Sequence, residues 1–146
     1  ECNQNHSKEC FILDKNPTKK QKKNHLSTIS LAYIVTNKDK LKKPKRLKVL
    51  FDTGCGSTLV NHSFVKQLKQ NTNNSQEWMT KVGSFKTTST CKVQFILPQF
   101  HKNCEIVWNM HVETSNHKHN TYDMIIGRDL MYLLKIDVKF STGFLD

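Results

Sequence analysis

Val49-Leu50-Phe51-Asp52-Thr53-Gly54-Cys55-Gly56-Ser57-Thr58-Leu59-Val60 is an apolar run, then Asp-Thr-Gly, then small polar residues, then apolar again. A carboxylate set between two strand-like segments is expensive to bury alone. It shifts its pKa or finds a partner that shares the charge. Gly54 lets the backbone turn sharply or lets another chain approach. One such Asp is half of a site. The chain has no second Asp-Thr-Gly; the nearest echo, Phe140-Ser141-Thr142-Gly143, lacks the acid.

Outward from this stretch the residues alternate as short strands. Arg46 to Phe51 is an expected strand delivering Asp52 at its end, and Leu26 to Val35 precedes it, across a basic turn with Pro44. Asn61 is the expected N-cap of a helix from His62 to Lys69, with Phe64, Val65 and Leu68 on one face. His62 and Ser63 are not a base and nucleophile, because adjacent helical residues do not face each other. Asn71 to Ser75 reads as a loop. Two extended segments between Gln76 and Leu97 form a hairpin around Val82-Gly83-Ser84, with Cys91, Val93 and Phe95 on one face. Cys104 to Glu113 alternates again through Ile106, Trp108, Met110 and Val112. Tyr122 to Ile126 is a strand, Arg128 to Leu134 a short helix with Leu130, Leu133 and Leu134 apolar, and Ile136 to Phe140 a last strand. Short strands with one or two short helices predict an all-β, closed, barrel-like body.

The 146 residues suit one domain with an appendage, and the net charge of +11 is unevenly placed. Residues 1–48 carry 13 Lys+Arg against 4 Asp+Glu; residues 49–146 carry 10 against 8. The charge therefore belongs to an arm ahead of a nearly neutral body. That arm suits weak nucleic-acid contact through residues 1–48 by phosphate electrostatics, or a solvated tether. No apolar run approaches a membrane span. Five cysteines, scattered and odd in number, predict a reducing compartment rather than a disulfide framework. Cys2, His6 and Cys10 are evenly spaced thiolate and imidazole ligands, three of the four a closed zinc site needs. His117 and His119 lie in a polar run with no carboxylate or Cys nearby to complete a site. The expected organisation is a Cys/His segment at 1–10, a basic linker at 11–25 and the folded body at 26–146. Residue 1 is Glu, and the chain reads as an excerpt of a longer precursor.

Two segments echo each other: Val49 to Gly54, and Met124-Ile125-Ile126-Gly127 leading into a helix. Phe51-Asp52-Thr53-Gly54 together with Tyr122-Asp123-Met124-Ile125-Ile126-Gly127-Arg128-Asp129-Leu130 resembles the retropepsins, the aspartic proteases of retroviruses and LTR retrotransposons. The second segment is most similar to the Gypsy class, whose polyproteins carry a Cys/His knuckle upstream of the protease; Cys2, His6 and Cys10 resemble its last three ligands, and this resemblance makes 1–10 a partial zinc-knuckle remnant. The resemblance covers roughly Leu26 to Asp146. It implies an endopeptidase that processes its own polyprotein, in the cytoplasm or in virus-like particles, with no cofactor and no metal in the protease domain. With one Asp-Thr-Gly per chain, it implies a symmetric homodimer in which Asp52 meets Asp52 of a second copy. Thr53 and Gly54 would brace that pair, Gly127 and Arg128 would support it from the companion strand, and Val82, Gly83, Ser84 and Phe85 would form a flap over an extended peptide. Retroviral relatives often carry acidic residues where this chain has Gly56 and Ser57. Arg128 then lacks that partner, and its salt bridge is made with Asp129 or Asp123, the nearest carboxylates in sequence, or not at all. Two other readings fit part of the chain: a related domain kept for dimerisation or peptide binding, and a nucleic-acid module resting on the N-terminal arm.

Overall fold

The computed structural model describes residues 29–35, 44–80, 83–115, 121–139 and 144–145. Strand β1 (Ile29–Ile34) turns Ser30, Ala32 and Ile34 inward. It pairs antiparallel with β2 (Lys45–Phe51), whose Leu47, Val49 and Phe51 are buried while Lys45, Arg46 and Lys48 stay in water. This period-2 burial is what the sequence alternation requires of a sheet with one face in the core. Next come β3 (Leu59–Asn61), a one-turn helix α1 (His62–Val65), β4 (Gln70–Thr80), β5 (Gly83–Ile96) and β6 (Glu105–Glu113). The chain continues through β7 (Met124–Ile126), α2 (Arg128–Leu134), β8 (Val138–Lys139) and β9 (Phe144–Leu145).

The protein is all-β in class. β1, β2, β7, β3, β6 and β5 pair in that order, and β5 returns to β1 through Tyr33 with Ile96 and Ile34 with Phe95. The six strands make a ring around one apolar core that includes Phe51, Val60, Val93, Phe95, Met110, Val112, Met124, Ile126 and Leu130. Closing a sheet on itself leaves no edge among these six. β4 lies outside the ring and pairs with β5 alone, while β8 and β9 form a separate two-stranded sheet.

The two echoing segments are neighbours in space. β2 and β7 run parallel, with Val49 opposite Met124, Leu50 opposite Ile125 and Phe51 opposite Ile126. Parallel strands require a long crossover, here the entire chain from β3 to β6.

Several expectations are corrected. Asn71 to Ser75 is not a loop but part of β4, with a register irregularity between Thr72 and Gln76. Its polar run extends because β5 supplies the hydrogen-bonding ladder, and an edge strand with exposed side chains needs no apolar alternation. The helix expected to reach Lys69 stops at Val65. Asn61 caps it, its side chain accepting from Ser63 N–H at 2.9 Å, but the chain must enter β4 at Gln70. In α2 the buried residues are Leu130 and Met131, whereas Leu133 is 45% exposed. The strand expected from Tyr122 begins at Met124, and the one expected from Ile136 begins at Val138. Cys2, His6 and Cys10, the linker at 11–25, Val82, and His117 with His119 lie outside the described residues.

Candidate functional site

Asp52 follows the last residue of β2, where the ladder ends and the chain turns. Its N–H donates to Ile126 O of β7 at 3.0 Å, the last rung of the parallel pair. Its carbonyl accepts from Cys55 N–H at 3.1 Å, closing the turn. Its carboxylate accepts from Gly54 N–H at 2.8 Å through Oδ1. Asp52 is half-buried, and Thr53 and Gly54 beside it are exposed in the single chain. The turn thus presents one acid at the rim of the ring, its oxygen aimed by a backbone donor. A Cβ on Gly54 would stand 3.1 Å from Asp52 Oδ1, so a side chain there would press on the carboxylate it now serves.

The loop is held from the other segment. Arg128 N–H donates to Cys55 O at 2.9 Å and Asp129 N–H to Gly56 O at 3.3 Å. Gly127 is the point of closest approach: a Cβ there would lie 2.6 Å from Ser57 O and 2.9 Å from Ser57 N, both backbone atoms. Gly127 N–H also donates to Thr58 Oγ1 at 3.2 Å. The start of α2 and the Asp52 loop are therefore laced together. The structure brings Asp52, Thr53, Gly54, Gly127 and Arg128 into one neighbourhood and sets Gly83, Ser84 and Phe85 on the hairpin formed by β4 and β5.

The side chains that carry this lacing include Thr58, which the sequence did not single out, and Asp129, which it offered only as a partner for Arg128. Thr58 is fully buried. Its hydroxyl donates to Asp129 Oδ1 at 2.7 Å and its N–H to Asp129 Oδ2 at 3.1 Å. Asp129 also accepts from Trp108 Nε1 at 3.2 Å and Leu130 N–H at 2.8 Å. A carboxylate with this many donors is settled where it is. Asp123 is engaged elsewhere, its Oδ2 accepting from Lys48 N–H at 2.8 Å across the β2–β7 pair. Neither carboxylate bonds Arg128. Its guanidinium instead lies against Gly56, with Nη2 3.8 Å from where a Cβ would be. A polar residue where apolar β3 resumes, and an acid in the first turn of a helix, were the available signals for Thr58 and Asp129.

Cys55 is the half-buried neighbour of the acid, its Sγ donating to Ser57 O at 3.0 Å. Burial pushes its thiol pKa up and the Asp52 and Asp129 carboxylates push the same way; a backbone contact at Ser57 and the Arg128 guanidinium pull against them. The thiol is therefore held protonated, a poor nucleophile. A recess of about 390 Å³ opens elsewhere, between the start of β1, Arg46, Lys48, Gln99 and Asp123. No residue of the Asp52 loop lines it. Among the described residues, no helix is long and apolar enough to cross a membrane. No protein-family model matches the chain, and no curated protein matches it.

Proposed function

We propose that the chain is an aspartic endopeptidase of the retropepsin type, formed by two copies that each contribute Asp52. The observation that carries the reading is the Asp52 turn: one half-buried carboxylate, aimed by Gly54 N–H, standing at the rim beside exposed Thr53 and Gly54. A lone acid so placed cannot be both general base and general acid. A second copy related by a two-fold axis supplies the complement from the same residue.

The chemistry follows from charge. Two carboxylates in contact cannot both ionise cheaply, so the pair holds one proton; aspartic proteases are the general example of this effect. The ionised Asp52 takes a proton from a water held between the two acids. The protonated Asp52 of the other copy donates to the oxygen of the scissile carbonyl. Water attacks, a tetrahedral gem-diol forms, and its collapse breaks the C–N bond as the amine leaves with the proton. The titration belongs to the pair and not to either acid. The substrate is an extended segment of the chain's own polyprotein, held by strand-like hydrogen bonds under the β4–β5 hairpin. Its setting is the cytoplasm or a virus-like particle.

The test is to incubate the precursor at mildly acidic pH, wild type and Asp52→Asn, with and without pepstatin. Wild type alone cleaves, pepstatin stops it, and the rate rises with protein concentration. Equal processing by Asp52→Asn ends the reading. Cleavage by a species that sediments as a monomer ends the two-copy site.

A further inference from the structure

The β4–β5 hairpin is tied to the ring by contacts that the proposed chemistry does not use. Most of β4 is exposed, and Trp78 is the half-buried residue near its outer end. The Trp78 ring stacks on Phe85, with centroids 6.1 Å apart and planes 10° apart. It meets the His111 ring edge-on at 5.2 Å. Its Nε1 donates to Thr87 Oγ1 at 2.9 Å, and the same oxygen lies 3.4 Å from His111 Nδ1. Thr87 is 2% exposed. His111, on β6, donates its backbone N–H to Thr58 O at 3.0 Å, and Thr58 is the residue that braces the Asp52 loop. One path of contacts thus runs from the hairpin through Trp78, Thr87 and His111 to Thr58.

We propose that His111 is a positioning residue whose neutral ring docks the outer part of the β4–β5 hairpin, at Trp78, Phe85 and Thr87, against β6, and whose protonation releases it. The argument is a proton count at Thr87. Its hydroxyl accepts from Trp78 and has one proton to give. Neutral His111 with its own proton on Nε2 takes the Thr87 proton on Nδ1, and all three groups are matched. Protonated His111 carries hydrogen on both nitrogens. Nδ1 then donates to the second lone pair of the Thr87 oxygen, and the proton of that buried hydroxyl loses its acceptor. An unmatched buried polar group, with a cation placed against it, favours the undocked hairpin.

The charges around His111 do not cancel this. Burial pushes its pKa below the ordinary value of 6.5, and the Asp129 carboxylate on α2 opposes that in part. Asp129 is already engaged by Thr58, Trp108 and Leu130. On β6, Glu113 accepts from Ser115. On the hairpin, Glu77 and Lys86 are paired opposites, both exposed, one residue out of step with Trp78 and Phe85 and so on the other face. The flanking partners, Thr90 on β5 and Leu59 on β3, are uncharged. With a folded pKa below the unfolded one, the contribution is complete above about 6.5 and is lost as pH falls through the folded value.

The covering of substrate by this hairpin rests on the proteolytic reading; the docking itself does not. The two are separated by measuring the hairpin by NMR in full-length wild type, Asp52→Asn and His111→Gln. The protein has two Trp, and Trp78→Phe assigns the indole N–H signals. Protection of the Trp78 indole, relative to free tryptophan, is followed from pH 7.5 to 5 beside the His111 ring shifts. Expected is a progressive loss of that protection as the pH falls, in the direction set by the lowered His111 pKa. It shares the His111 midpoint, is identical in Asp52→Asn and is absent in His111→Gln. Trp108 stays protected throughout. A Trp78 profile that is flat, that has a midpoint apart from His111, or that survives in His111→Gln overturns the proposal. If His111→Gln does not fold, the match of midpoints in wild type decides alone.

Discussion

A single methyl group measures how tightly the site is built. Gly127 faces Ser57 backbone atoms at 2.6–2.9 Å from a notional Cβ, and backbone cannot swing aside as a side-chain end does. Gly127→Ala is expected to destabilise by at least about 2 kcal/mol, the scale of overpacking in a rigid site, read as a lower urea midpoint. Gly56 is the opposite case. A notional Cβ there meets the Arg128 guanidinium at 3.8 Å, an ordinary contact, and Gly56→Asp places a carboxylate within its reach. The gain is small, about 0–1 kcal/mol for an exposed pair, and vanishes in high salt; comparing midpoints of Gly56→Asp and Gly56→Asp with Arg128→Gln checks it. Asp52 and Gly54 stand out in the sequence by their type and setting, and Gly127 and Arg128 through the resemblance. The sequence left open whether Arg128 pairs with Asp123, Asp129 or neither, because which carboxylate meets which donor depends on Asp129 finding Thr58 and Trp108, residues 71 and 21 positions away.

At the scale of elements, α2 shows what local pattern settles and what it does not. Its bounds, Arg128 to Leu134, follow from the helical apolar spacing. Its inward face does not, because Leu133 and Met131 are both apolar and only the position of the ring selects Met131. The helix ends on Lys135 at φ 55°, left-handed, with its N–H returning to Met131 O and Tyr132 O. That conformation costs a side-chain-bearing residue roughly 1–2 kcal/mol and suits glycine. Lys135→Gly is expected to stabilise by about 1 kcal/mol, after the extra chain entropy glycine brings to the unfolded state, seen as a raised urea midpoint. β4 shows the converse. Asn71 to Ser75 has loop composition, yet it pairs with β5 because the partner strand, and not its own side chains, sets its conformation.

At the scale of the whole molecule, the ring places β2 beside β7 and so fastens one Asp52 turn per chain. If two turns make one site, chains exchange to form mixed pairs. Adding an equal amount of Asp52→Asn chain to wild type is expected to lower cleavage to roughly half by random pairing of tight dimers. A tenfold excess lowers it to roughly a tenth by the same statistics. Unchanged activity in a peptide-cleavage assay would show that each chain works alone.

The sequence by itself determined the strand alternation, the all-β class, and the residue types at Asp52-Thr53-Gly54 and Gly127-Arg128. These are local: they depend on period, turn chemistry and the cost of a lone acid in an apolar run. The tertiary structure decided that β2 and β7 lie parallel and adjacent, that β4 extends as an edge outside the ring, and that Thr58 and Asp129 lace the loop. It also decided that Trp78, Thr87 and His111 meet. These are contacts between distant segments, and no local pattern encodes them; they exist because six strands share one core, and closing that ring fixes every partner at once.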